Sequence, residues 1–143
     1  MKFGKIFGLI VASIILGTGA NAETSAATPD TISAAAINQL QAGNVHQAIS
    51  GYFGNNPLMA GKQAELSMLE SQITSGMTIY GKIRACELVE TLKRGTLVEN
   101  RLYLCQHDHF VTRWRLLIIR TPTGWVGNFF GFDEKVTQTL NDN

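Results

Sequence analysis

Hydrophobic residues change their spacing once along the chain. From Ile32 to Ile73 they recur every three to four residues, and from Thr78 onward they tend to alternate with polar ones. The first period is that of amphipathic helices and the second that of strands with one covered face. Ile32, Ala36, Ile37 and Leu40 mark one side of a first helix, with Asp30 placed to cap it and Gly43 suited to the left-handed position past its end. Val45, Ala48, Ile49, Tyr52 and Phe53 mark a second, shorter helix. Asn56-Pro57 is a start signal for a third, with Leu58, Leu66, Leu69 and Ile73 on one face and Gly76 as its stop.

The strand-like half divides at two turn signals. "TIYGKIRACELVETLKRGTLVENRLYLCQ", residues 78–106, reads as two strands around Arg94-Gly95-Thr96-Leu97, a two-residue hairpin loop with Gly first. That register sets Cys86 opposite Cys105, Leu88 opposite Tyr103 and Glu90 opposite Arg101. A second hairpin, residues 109–132, turns at Thr121-Pro122-Thr123-Gly124, read as a three-residue loop. Here Trp114 falls opposite Phe132, Leu116 opposite Phe130, Arg120 opposite Val126, and Arg113 opposite Asp133 as an ion pair. Trp114, Leu116, Ile118, Phe130 and Phe132 then form the face that the helices cover, as aromatic stripes usually do. Arg113, Arg115, Gly127 and Gly131 collect on the other side with Leu117, Ile119 and Phe129. Glycine inside a strand permits a bend or a close approach, so the sheet is expected to curve.

The N-terminus changes the picture of where this domain works. "MKFGKIFGLIVASIILGTGANA", residues 1–22, has two lysines, an apolar run and an Ala20-Asn21-Ala22 cleavage pattern, the three parts of a secretory signal peptide. The run is too short for a permanent membrane span, so none is expected after cleavage. Residues 23–29 read as a flexible leader, 30–136 as one α+β domain and 137–143 as a C-terminal tail. A periplasmic or secreted location follows. Removing Lys2 and Lys5 from twelve Lys and Arg residues leaves ten against eleven Asp and Glu, a net charge of −1. That balance gives no electrostatic case for nucleic acid. Cys86 and Cys105 both survive cleavage, and an even pair in an exported chain predicts a disulfide. Closing a loop of this size stabilises by about 3 kcal/mol on the chain-entropy account.

Helices first, then an antiparallel meander ending in "GWVGNFFGFDEKV", resembles the NTF2-like, cystatin-like superfamily, and within it small exported bacterial proteins. In these a Trp-containing hairpin precedes an aromatic-x-Phe-Asp segment, which here is Trp125 and "FGFDEKV", Phe130 to Val136. The resemblance implies N-terminal helices packed on a curved four-stranded antiparallel meander that forms a cone. The chain departs from many such domains in having no strand before Thr78, which implies a shallow or open cone. Isomerases, dehydratases, ligand binders and dimeric scaffolds share this architecture, so it carries no single function across.

Candidate chemistry is sparse. His107-Asp108-His109 has metal-ligand residue types, yet adjacent spacing is no recognised closed site, and no metal or cofactor is assigned. Tyr80, Glu87, Tyr103, His107 and Asp133 have the chemistry for acid–base work, but no nucleophile motif or phosphate loop accompanies them. A non-catalytic role is favoured over an isomerase or dehydratase. Tyr80, Tyr103, His107 and Arg115 are the candidate ligand-binding residues. The partners expected are a small apolar ligand or an envelope protein. A periplasmic inhibitor or immunity-type role is the alternative, and a homodimer through the sheet is compatible with either. Mass measurement of the exported protein is expected to show Glu23 as its first residue; intact Met1 in the envelope fraction would contradict the leader assignment.

Overall fold

The computed structural model describes residues 26–140, so the expected signal peptide, its cleavage site and the first three residues of the expected leader 23–29 lie outside the described residues. Three helices, α1 (Pro29–Gln41), α2 (Val45–Phe53) and α3 (Gln63–Tyr80), precede four strands, β1 (Ile83–Arg94), β2 (Val98–His107), β3 (Val111–Thr121) and β4 (Gly124–Asp133). The strands form one antiparallel meander in chain order, giving an α+β fold. Short 3-10 helices at Pro57–Gly61 and Val136–Leu140 complete the elements of the described residues.

The helical faces follow the sequence pattern. Ala36, Ile37 and Leu40 of α1 and Val45, Ala48, Ile49, Tyr52 and Phe53 of α2 are buried, and Gly43 takes the left-handed conformation after α1. The start of α1 differs: Thr28, not Asp30, is its cap, in a reciprocal capping box with Thr31, and Pro29 occupies the first turn. Asn56 caps the five-residue 3-10 helix rather than α3, and Leu58 is exposed. Gly76 does not stop α3. The helix runs on to Tyr80, and an added Cβ at Gly76 would lie 2.9 Å from the Phe132 ring, so this glycine gives Phe132 room to pack. Strand β1 accordingly begins at Ile83, five residues later than the periodicity suggested.

Both hairpins carry a compensated register. In the first, Cys86 pairs with Cys105 and Leu88 with Tyr103, as expected, and the disulfide is formed with a Cα–Cα distance of 4.1 Å. A bulge at Val89 then shifts the ladder, so Glu90 faces Leu102, Arg101 faces Thr91, and the loop holds three residues rather than two. The expected Glu90–Arg101 pairing is replaced by contacts of Arg101 with Asp30 and Glu99. In the second hairpin, Arg113–Asp133, Trp114–Phe132 and Leu116–Phe130 pair as read. A bulge at Asn128 shifts the rest, so Arg120 faces Trp125 instead of Val126 and the loop has two residues. The shift also moves Gly127 onto the helix-covered face, opposite Ile118.

The helix-facing stripe of β3 and β4 is core. Trp114, Leu116, Ile118 and Phe130 are at most 3% exposed. Trp114 stacks on Phe132 with ring centres 4.8 Å apart, and Tyr52 lies 5.1 Å from Phe130. The C-terminal end of α2 seats on β4 at Gly127, where a Cβ would collide with the Tyr52 carbonyl oxygen and come within 2.6 Å of its ring. Gly127→Ala is therefore expected to destabilise by about 3 kcal/mol, at the upper end of overpacking costs. Trp114→Ala should cost about 3–5 kcal/mol, and Arg115→Ala, on the other face, should leave the urea midpoint nearly unchanged. A stable Trp114→Ala beside a collapsed Arg115→Ala would mean the two faces are reversed.

Candidate functional site

Strand alternation places a second set of side chains on the sheet face opposite the three α-helices. Reading across β1 to β4, one row holds Glu87, Leu104, Arg113 and Asp133, and the next Glu90, Leu102, Arg115 and Gly131. A third row holds Leu92, Asn100, Leu117 and Phe129. A depression of about 400 Å³ opens here, lined by Glu90, Leu92 and Arg94 from β1, Asn100 and Leu102 from β2, Arg113 and Arg115 from β3, and Gln138. Its volume falls in the range of small-molecule sites. A second depression, about 300 Å³ between α1 and α2, is lined by residues such as Ala35, Ala36, Ala48 and Gly51 and has no charged side chain.

One carboxylate organises the charged depression. Arg113 is 4% exposed, donates from Nε and Nη2 to the two oxygens of Asp133 at 3.1 and 2.9 Å, and donates to Gln138 Oε1 at 2.9 Å. Arg115 is half exposed and approaches Asp133 at 3.7 Å, too far for a hydrogen bond. Burial works against ionisation of Asp133. The hydrogen bonds from Arg113 and from the Lys135 N–H, with the charges of Arg113 and Arg115, outweigh it and hold this carboxyl below its ordinary value. The groups lining the depression are guanidinium, carboxylate, amide and aliphatic, suited to binding and orienting a charged ligand.

The four candidate ligand residues fall in three places. Arg115 lines the depression. Tyr103 is buried on the helix side, where its hydroxyl lies 3.0 Å from Ser33 Oγ, which donates to the Pro29 carbonyl. Tyr80 and His107 come together beyond the other end of the sheet, with ring centres 5.6 Å apart and Phe110 5.6 Å from Tyr80. The Tyr80 hydroxyl donates to Glu134, and that bond raises its pKa.

His107 is buried with both ring nitrogens engaged. Nδ1 faces the Gly81 carbonyl at 2.9 Å, so it carries the proton; Nε2 then accepts from Thr112 Oγ1 at 2.8 Å, and Thr112 accepts from Trp114 Nε1. Asp108 binds Arg84 and the Lys82 N–H, interactions that lower its pKa. The polar groups of His107 and Asp108 thus clamp the α3–β1 junction to β2. Among the described residues no three His, Cys, Asp or Glu side chains converge as a metal site. Arg94, Asn100, Leu102 and Gln138 were not singled out by sequence; the parity of the outward-facing positions in β2 is the signal that marks Asn100 and Leu102.

No protein-family model matches the chain, and no match is found among curated proteins or solved structures.

The depressed carboxyl of Asp133 sets a pH dependence. Its contribution to stability is present above the ordinary carboxyl value of 3.8 and is lost as the pH falls through the lower folded value. The stability difference between wild type and Asp133→Asn is expected to be constant above about pH 5 and to close in stronger acid. Denaturant titrations at stepped pH measure it, and a gap that persists undiminished to the acid limit would contradict the assignment.

Proposed function

We propose that this chain is an exported, non-catalytic binding domain of NTF2-like or cystatin-like architecture that takes a small ligand on the uncovered face of its sheet. One observation carries the reading. The side facing the helices is filled by Tyr52, Trp114, Leu116, Ile118 and Phe130, whereas the opposite face opens into a depression with charged walls and leucines in its lining. A small ligand is better accommodated on this outer face than on the helix side, which core side chains fill. Export is supported by the formed Cys86–Cys105 bond and by the three-part N-terminal pattern. Among the described residues no helix is long and apolar enough to cross a membrane.

A protein partner, of envelope, inhibitor or immunity type, or a second copy of the chain, is the second reading. It is favoured by one feature: Leu88, Val89, Leu92 and Leu97 are each at least 37% exposed along the edge strand and its turn. Native mass spectrometry of the protein taken from its own periplasm separates the two. A retained small mass that is lost in Arg115→Gln supports the ligand reading. A retained polypeptide supports the partner reading, and bare protein counts against both.

A further inference from the structure

We infer that the outer depression is a site for a small amphipathic carboxylate, held by the guanidinium of Arg115 with its apolar body on the adjoining leucines. This rests on the open-face reading above and adds the chemical class of the ligand.

The charge balance comes first. Arg94, Arg113 and Arg115 line the depression against Glu90. Asp133 neutralises one guanidinium, and its two oxygens are taken by Arg113. Three guanidiniums against one carboxylate in the lining favour an anion, and Glu90, with Glu87 in the adjoining row, opposes a highly charged one. A carboxylate is the monoanion whose two oxygens fit the planar fork of an arginine.

Geometry then selects the arginine. Arg113 is buried and already bidentate, so it positions Asp133 rather than reaching a ligand. Arg115 is half exposed and in ionic contact with Asp133 at 3.7 Å, beyond hydrogen-bond length, so that carboxylate does not occupy its fork. Asn100, from the neighbouring row, offers an amide donor. Leu92 and Leu102 line the same depression, and Leu117 and the 47% exposed Phe129 continue the apolar surface along the Leu92 row. A charged end and an apolar strip side by side fit a head and a short tail.

The test is nuclear magnetic resonance titration of the isotope-labelled exported protein with octanoate, octanol and octylammonium. Octanoate is expected to shift the Arg115 Nε–H and the Leu92 and Leu102 amides, with smaller responses to the other two. Arg115→Gln should weaken octanoate binding at least tenfold, the scale of a charge-assisted hydrogen bond. Arg115→Lys, which keeps the charge and loses the fork, should weaken it less. Arg84→Gln, on the Asp108 clamp, should not change it. Unaltered thermal midpoints for the Arg115 variants exclude unfolding as the cause. If octanol or octylammonium perturbs the same amides as strongly as octanoate, the carboxylate assignment falls and the open-face reading stands. If octanoate binds between α1 and α2, or no probe perturbs the outer face, both fall.

Discussion

The hydroxyl of Tyr52 ties the helical layer to the sheet. It lies 2.8 Å from the Leu117 carbonyl and 3.0 Å from that of Phe129, the residues paired where the β3–β4 ladder changes register. With one proton for two acceptors, the bond is shared. Burial, reinforced by Tyr103, pushes the Tyr52 pKa well above the ordinary tyrosine value, so the group stays a donor. Asn56 supports it, donating to the Gly127 carbonyl at 2.8 Å while accepting from the Leu58 N–H. A bulge interrupts the ladder and leaves backbone groups to be satisfied elsewhere. Here α2 and the turn after it satisfy them, and the close seat they need exists only because residue 127 has no side chain. Bulge, glycine and helix position are one constraint.

That constraint decides which side chains belong to which face. On the Asp133 side of the bulge, the even positions of β4 face the helices; on the turn side, the odd ones do. The one-residue shift brings Trp125 opposite Arg120, 6.0 Å from its guanidinium, and packs it against the core beside Gly127. Without the shift, Trp125 would point away from the helices. In β1 the bulge at Val89 has a parallel effect, turning Glu90 to the outer face next to Leu102 and leaving Thr91 opposite Arg101. Edge strands are where bulges concentrate, and both strands here are edges.

The register errors show why much of this fold was legible and some was not. Each loop length was misread by one residue, and each bulge returned the ladder to the expected pairing farther from the turn. The disulfide, Trp114–Phe132 and Arg113–Asp133 could therefore be read correctly from sequence, while Glu90–Arg101 and Arg120–Val126 could not. Local signals fix a turn only to within a residue, and a bulge is a response to tertiary contacts that no local pattern carries. Gly76 failed for the same reason: in isolation it reads as a helix stop, but its place is set by the distant Phe132 ring. The outer depression was half legible. Alternation placed Arg113 and Arg115 together, but Glu90, Leu92 and Arg94 reach that face only through the bulge in β1.

On the outer face, Asp133 links a buried arginine and a half-exposed one. A buried guanidinium is costly unless its donors are met, and Arg113 has a carboxylate and an amide to meet them. Gln138 comes from the 3-10 helix after β4, so the chain folds back across the sheet to complete that shell. Two oxygens can serve one fork bidentately, and Arg113 takes both. Arg115 then feels the attraction of Asp133 without closing a hydrogen bond to it. The same carboxylate that makes burial of one arginine tolerable also attracts a second, which lines the depression. The buried guanidinium and the half-exposed one thus share a single anion, the first through hydrogen bonds and the second through charge.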